Sequence, residues 1–284
     1  MSTKKTEKKT EKKTGKKIKK NKLYKNKLKK NKLNKNKTKI NLLKKSKRTE
    51  KRDIHTNLLH PNLEKRRKLF VPEIEPTLLE YNDYFWKKIF PIKKNTDVKN
   101  YMLSNIGSYS IFNPNDADKV AKIIKSFLPE KAIITDANAN MGGATLAFTN
   151  YFEKVNSVEI IPFHCKILEN NIKVYDVIDK VKVYCMDYLD TGNKLEQDVI
   201  FFDPPWGGPN YKNNKLMDMY LDNISISDII KSLIYKKKIK IIAIRVPFNY
   251  DFKKILELTE KSHIFTFRKK DNKLNFFLII LIIK

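Results

Sequence analysis

The chain has 284 residues, enough for one sizeable α/β domain and an appendage. Its formal net charge is +29, yet residues 1–52 hold 25 Lys or Arg against Glu7, Glu11 and Glu50, a net of +22, leaving only +7 on the other 232 residues. Two cysteines (Cys165, Cys185) and four histidines without metal-ligand spacing argue against a disulfide scaffold and a structural metal, and a reducing compartment is expected.

The first 52 residues repeat Thr-Glu-Lys-Lys and then Asn-Lys-Leu units (Asn21-Lys22-Leu23, Asn26-Lys27-Leu28, Asn31-Lys32-Leu33). Dense like charge and few apolar residues cannot offset the entropy of ordering, so a disordered basic tail is predicted. It carries no apolar core of a secretory signal. Such a tail suits RNA phosphates or a nuclear import signal; the plainer reading is a solvating tail of a Lys- and Asn-rich genome. Residues 53–105 are predicted to form a small helical extension. Leu78, Leu79, Tyr84, Phe85, Trp86, Ile89 and Phe90 make an amphipathic stretch ending at Pro91, read as packing on the next domain, with a share in substrate binding as the alternative.

Residues 106–284 alternate helix and strand. Helix is predicted over Asp116–Leu128, strand over Ala132–Asp136, and helix over Ala144–Phe152. Strand Val155–Ile160, helix Phe163–Tyr175 and strand Val181–Cys185 come next. Strand Val199–Asp203 runs straight into Pro204-Pro205. Helix Ile226–Tyr235, strand Ile239–Ile244 and a helix over 252–261 lead to two strands, His263–Arg268 and Leu274–Ile283, joined at Asp271-Asn272. The apolar run Phe276–Ile283 is far shorter than the ~20 residues of a membrane helix, so it reads as a buried strand and the protein as soluble. The alternation implies an α/β doubly wound sheet with an antiparallel hairpin at one edge. That arrangement resembles the Rossmann-like, seven-stranded fold of class I methyltransferases.

Ligands in such sheets bind beyond the carboxyl ends of the central strands. Three acids fall there. Asp136 closes the first strand and precedes Asn138–Gly143. Glu159 follows 23 residues later, near the roughly 20 expected for a ribose-binding acid, and Asp187 follows the third strand. Gly142 and Gly143 let backbone approach the methionine portion of a cofactor, Glu159 suits ribose hydroxyls, and Asp187 suits an adenine amino group. The turn reads Asn-Ala-Asn-Met-Gly-Gly, not a full G-x-G-x-x-G, but Asn140 tolerates positive φ better than most residues and is expected to rescue the turn. The competing account is an ordinary strand-to-helix loop with solvated acids.

The most specific string is Asp203-Pro204-Pro205-Trp206-Gly207-Gly208-Pro209. A polar residue, two prolines and an aromatic after an apolar strand suit methyl transfer to a planar amine, a poor nucleophile because its lone pair is conjugated. Asp203 and the Pro204 carbonyl can accept from its two N–H groups. Pro205 stiffens the loop beside the base, and Trp206 can lie flat on it. Catalysis then rests on orientation and desolvation. Otherwise the string is a Pro-rich turn with a buried tryptophan and a capping aspartate.

With Asn210-Tyr211 after it, this string resembles the signature of the trimethylguanosine synthase family of RNA cap guanine-N2 methyltransferases. Asp136-Ala137 with Gly142-Gly143 and Thr145, Asn170-Asn171 with Val174-Tyr175, Asn272-Lys273-Leu274, and Asn113-Pro114 agree with it over roughly residues 80–284. The resemblance implies an S-adenosyl-L-methionine-dependent enzyme acting on N2 of 7-methylguanosine caps, intracellular, in nucleus or cytoplasm, monomeric, with no membrane or metal partner. It further implies Trp206 stacked on 7-methylguanine, Asp203 and Pro204 at the amine, Asn171 hydrogen-bonded to the base, and Asn113 near the cofactor. Asn140 and Asn138 depart from the family's glycine and aromatic. Phe248 stands where a basic residue would hold the triphosphate, with Arg245 its nearest substitute. Two other functions compete: an N6-adenine RNA or DNA methyltransferase, and a catalytically silent RNA-binding subunit on the same fold.

Overall fold

A computed structural model describes residues 75–129, 131–235 and 239–283. The predicted basic tail and the first part of the helical extension lie outside the described residues.

The extension contributes helix α1 (Asp83–Ile89), whose N-terminus is capped by the Asn82 side chain accepting the Phe85 N–H. Trp86, Ile89 and Phe90 are buried on one side and Tyr84 is exposed on the other, as the amphipathic pattern requires. The Trp86 indole donates to the Tyr101 carbonyl at 2.8 Å, and Phe90 stacks on Tyr101 at 4.4 Å. A short helix, α2 (Gly107–Ser110), leads to α3 (Pro114–Lys125). Asn113 caps α3, Pro114 sits in its first turn, where a missing N–H costs nothing, and Ala117, Val120, Ala121 and Ile124 form its buried face.

Nine strands follow, interleaved with helices: β1 (Ile133–Asp136), α4 (Gly143–Phe148), β2 (Lys154–Glu159), α5 (Pro162–Val174), β3 (Val181–Cys185), α6 (Tyr188–Thr191) and β4 (Val199–Phe202). Then come a two-strand ribbon, β5 (Tyr220–Leu221) and β6 (Ile224–Ser225), helix α7 (Ile226–Tyr235), β7 (Ile241–Pro247), α8 (Lys253–Leu256), β8 (Ser262–Arg268) and β9 (Leu274–Ile282). Seven strands make one sheet in the order β3-β2-β1-β4-β7-β9-β8. The first five are parallel; β9 pairs antiparallel with β7 and β8. The α/β fold expected from the sequence, with its antiparallel C-terminal strands, is the observed one.

Both faces of the sheet are covered, which is why the central strands read as continuous apolar runs. Val199, Phe201, Ile241, Ala243, Phe276, Leu278 and Ile280 pack with α3 and α4. Ile200, Phe202, Ile242, Ile244, Ile279 and Leu281 pack with α7 on the opposite face. The strand order crosses over beside β1, so the carboxyl ends of β1, β2 and β4 converge on one edge. Among the described residues no helix is long and apolar enough to cross a membrane.

Several elements differ from expectation. The helix predicted to Phe152 stops at Phe148, because the Thr149 hydroxyl donates to the Leu146 carbonyl and the following N–H groups of Asn150 and Tyr151 bond three residues back. The helix over 252–261 shrinks to Lys253–Leu256, since Thr259 is drawn to the Ile282 carbonyl to start β8 beside β9. The strand begun at Ile239 starts at Ile241 and runs on to Pro247, where β9 supplies partners. The ribbon β5–β6 was not anticipated; Asp222 and Asn223, with φ of 45° and 65°, make its turn. Cys165 and Cys185 are joined in a disulfide, against the expectation from composition, because α5 runs back along β2 and β3 and brings the two Cα atoms to 5.8 Å.

Candidate active site

The carboxyl end of β1 delivers Asp136 into the interior, where its Oδ2 accepts the Thr145 hydroxyl at 2.7 Å. Its Oδ1 is buried with no partner among the described residues. Burial is the main force raising its pKa to about 7; the Thr145 bond opposes the rise, and the charge of Asp203 adds to it. The loop that follows needs left-handed backbone twice. Asn140 adopts φ 51°, the role its side chain suited, and Gly142 adopts 97°. Gly143 has an ordinary φ but no room for a Cβ, which would stand 2.7 Å from the Phe112 backbone nitrogen. The loop is therefore pressed against Phe112. Asn138 and Asn140 each leave a buried side-chain oxygen without a partner among the described residues.

Glu159 ends β2 opposite this loop. Its Oε2 accepts the Asn140 N–H at 2.8 Å and its Oε1 the Ile161 N–H at 2.8 Å. Burial raises its pKa to about 7 despite those two bonds. Each oxygen keeps a lone pair, so the carboxylate is oriented but not exhausted. Asp187 caps α6 through the Leu189 N–H at 2.9 Å, and Asn113 caps α3 through the Asn115 N–H at 3.1 Å. Both have structural duties at the rim of the same edge.

Asn171 does not fit the role expected of it. It is fully buried on α5; its carbonyl oxygen accepts the Met102 N–H, and its amide donates to the carbonyls of Met102 and Met141. With the Asn170 amide also donating to its oxygen at 3.3 Å, these bonds leave no edge for a base, and Asn171 instead ties the segment before α2 to the loop after β1.

On the chemical side, β4 ends at Phe202 and presents Asp203, its side chain 15% exposed. Pro204 is buried and Pro205 exposed. Trp206 is half-buried, its ring 5.1 Å from that of Tyr211 at 74°, with a buried indole nitrogen that has no partner among the described residues. Gly207 and Gly208 take φ of 83° and 75° in open space, which turns the chain away from the tryptophan face. Asn249, after β7, donates to the carbonyls of Tyr211 and Asn214 at 3.0 and 2.7 Å and so pins the loop.

Arg245, which the sequence offered only as the nearest substitute for a triphosphate-binding residue, has a different setting. It points inward from β7, donating to Asp203 Oδ2 at 2.7 Å. Its guanidinium carbon stands 4.2, 4.5 and 4.7 Å from the ring centroids of Phe112, Trp206 and Phe276. The signal was available in the alternation of β7, where Ile241 and Ala243 face α3 and α4 and position 245 continues that face. Phe248, proposed as the aligned triphosphate position, is 38% exposed beside Tyr211.

Residues 130–275 match the sequence model of RNA cap guanine-N2 methyltransferases. The chain is 30% identical over 201 residues to an uncharacterized protein of Acanthamoeba polyphaga mimivirus, covering 69% of this chain and 78% of that protein. It is 28% identical over 156 residues to the trimethylguanosine synthase of Schizosaccharomyces pombe, covering 52% of this chain. For that of Saccharomyces cerevisiae the identity is 25% over 187 residues, covering 62% of this chain. The aligned parts span 63% and 58% of these two yeast relatives. Among solved structures, a precorrin-6y C5,15-methyltransferase from Geobacter metallireducens superposes with a TM-score of 0.44 at 15% identity, covering 61% of this chain and 89% of that one.

Proposed function

The chain belongs to the RNA cap guanine-N2 methyltransferase family, and from that premise we propose that it transfers a methyl group to the exocyclic N2 of 7-methylguanosine on capped RNA. The observation that carries this reading is the pairing of an oriented carboxylate with a half-exposed tryptophan, Asp203 and Trp206, at the edge where Asp136 and Glu159 also end.

When bound, S-adenosylmethionine supplies an electrophilic methyl group on a sulfonium. The residues present fit it. Among the described residues, buried oxygens of Asp136 (Oδ1), Asn138 and Asn140 have no partner and can accept from a ligand, and Gly143 keeps the loop close to the backbone of Phe112. Asp136, Gly142, Gly143 and Asn113 would hold the methionine end, Glu159 the ribose and Asp187 the adenine. Trp206 would stack on the base. N7-methylation makes guanine cationic, and a tryptophan face attracts a cation by about 0.5–2 kcal/mol beyond ordinary stacking. This favours a methylated cap over an unmethylated one. Asp203 and the Pro204 carbonyl would accept from the amine N–H groups and aim its lone pair, while Pro205 stiffens the turn. Methylation would leave N2 with a surplus proton, which Asp203 would take up or pass to solvent.

Mass spectrometry of 7-methyl-GDP incubated with the protein and S-adenosylmethionine tests the reading. Addition of one or two methyl groups to 7-methyl-GDP, and none to GDP, is expected. Transfer to adenine in RNA with none to 7-methyl-GDP would overturn it.

A further inference from the structure

Arg245 breaks the rule that strand β7 otherwise obeys. Ile241 and Ala243 fill the sheet face toward α3 and α4, and Arg245 continues that face with a cation. A lone guanidinium there would be costly to desolvate. Two features offset that cost. Phe112, Phe276 and Trp206 surround it at 4.2–4.7 Å, within cation–π range, and Asp203 Oδ2 accepts its Nη1 at 2.7 Å. Its side chain and that of Asp203 are each only 15% exposed. The bond uses one carboxylate oxygen; Asp203 Oδ1 makes no hydrogen bond among the described residues.

We propose that Arg245 is a positioning residue for the acceptor base: it fixes Asp203 by one oxygen so that the other is presented to the amine, and it braces the ring of Trp206. This rests on the methyl-transfer reading above and replaces the idea that Arg245 meets the cap triphosphate. Its Nη1 is spent on the carboxylate, and its Nε, though without a partner among the described residues, is buried under three rings and is not presented to a phosphate in solvent. One side chain thus sets both halves of the acceptor site, the aromatic platform and the hydrogen-bond acceptor.

The charges around Asp203 give the idea a readout that packing alone lacks. Burial favours the protonated carboxyl, and Arg245 is the group that opposes this. Asp136, on the neighbouring strand β1, feels the charge of Asp203 as well as that of Glu159 on β2, and Tyr211 feels that of Arg245. Removing the arginine leaves Asp203 among acids with no cation against it. Its proton affinity then rises, and a protonated Asp203 is a poorer acceptor for the amine.

The test is kcat/KM from about pH 6 to about pH 9 for the full chain and its R245M, R245K and D203N variants, on 7-methylguanosine and on 7-methyl-GTP. S-adenosylmethionine affinity is measured alongside. In R245M the acid limb of the profile should move upward, with a loss of tenfold or more at the acid end that partly recovers at the alkaline end. Phosphate-free and phosphorylated substrates should suffer alike, and cofactor affinity should stay within about twofold, the tolerance set for a site that is not touched. R245K keeps the charge and should restore the position of the limb with a lower kcat. In D203N that limb should vanish. If R245M does not fold, R245K and the two-substrate comparison still decide, because a phosphate ligand loses affinity only for 7-methyl-GTP. A uniform loss at every pH, or a loss confined to 7-methyl-GTP, overturns the proposal. A wild-type protein inert on all 7-methylguanosine substrates overturns the methyl-transfer reading instead, so the two failures are distinguishable.

Discussion

On the proposed function Trp206 serves the acceptor base while Asp136 and Glu159 serve the donor, and each assignment has its own signature. Trp206 packs against Arg245 and Tyr211. Replacing it with alanine should cut turnover of 7-methyl-GDP by at least 100-fold, the scale of losing both stacking and orientation. S-adenosylmethionine affinity measured by calorimetry should hardly change; equal losses in both would contradict the division. Asp136 and Glu159 are held at pKa values of about 7, well above those of an unfolded chain. An acid raised on folding stabilises the native state most below its unfolded pKa, and the benefit disappears as pH rises through the folded value. Without cofactor, therefore, thermal stability should fall between about pH 4 and about pH 8 on account of these two groups. A cationic sulfonium ligand favours their ionised forms and should release protons on binding, which calorimetry in two buffers of different ionisation heat would show. D136N should raise the melting temperature of the free protein at alkaline pH while weakening cofactor binding. Much of this was readable beforehand: the acids by their spacing, the positive φ of Asn140 by its chemistry. The settings of Asn171 and Arg245 were not readable, for one reason: the hydrogen bonds that occupy them come from Met102, Met141 and Asp203, which lie 69, 30 and 42 residues away.

Elements were legible in proportion to their apolar periodicity. Strand β3 and helix α7 begin and end where the pattern placed them. Short pieces held by one side-chain bond were not. Helix α6 depends on the Asp187 cap and β5–β6 on two residues with positive φ; neither leaves a periodic trace in four residues or fewer. Helix α3 shows the strong case, with a cap, a first-turn proline, and four apolar residues at helical spacing. Ile124 is fully buried between α3 and the sheet. Ile124→Ala should cost about 2–5 kcal/mol of stability in a denaturant titration, through lost transfer energy and the cavity left behind. A cost below about 1 kcal/mol would mean that the α3 face relaxes to fill the space.

At the scale of the molecule, charge and shape are separated along the chain. Most of the excess positive charge lies in residues 1–52, ahead of the sheet and its site. Such a segment binds phosphates by releasing counterions and carries no base recognition. Removing residues 1–52 should therefore weaken binding of long capped RNA and flatten its dependence on salt, while turnover of 7-methyl-GDP is spared. Filter binding at several salt concentrations would measure the first and mass spectrometry the second; unchanged RNA affinity would make the tail irrelevant to capture.

The position of β9 has a consequence for biogenesis. It lies between β7 and β8 although it follows both in the chain, so β8 leaves the ribosome with no neighbour to pair with and β7 waits with one edge open. Phe276, a wall of the enclosure around Arg245, arrives on that same late strand. A nascent chain halted before Leu274 should accordingly hold its parallel strands yet lack a finished acceptor site, detectable as donor binding without methyl transfer. On the proposed function, methyl transfer thus waits on β9 taking its place between β7 and β8.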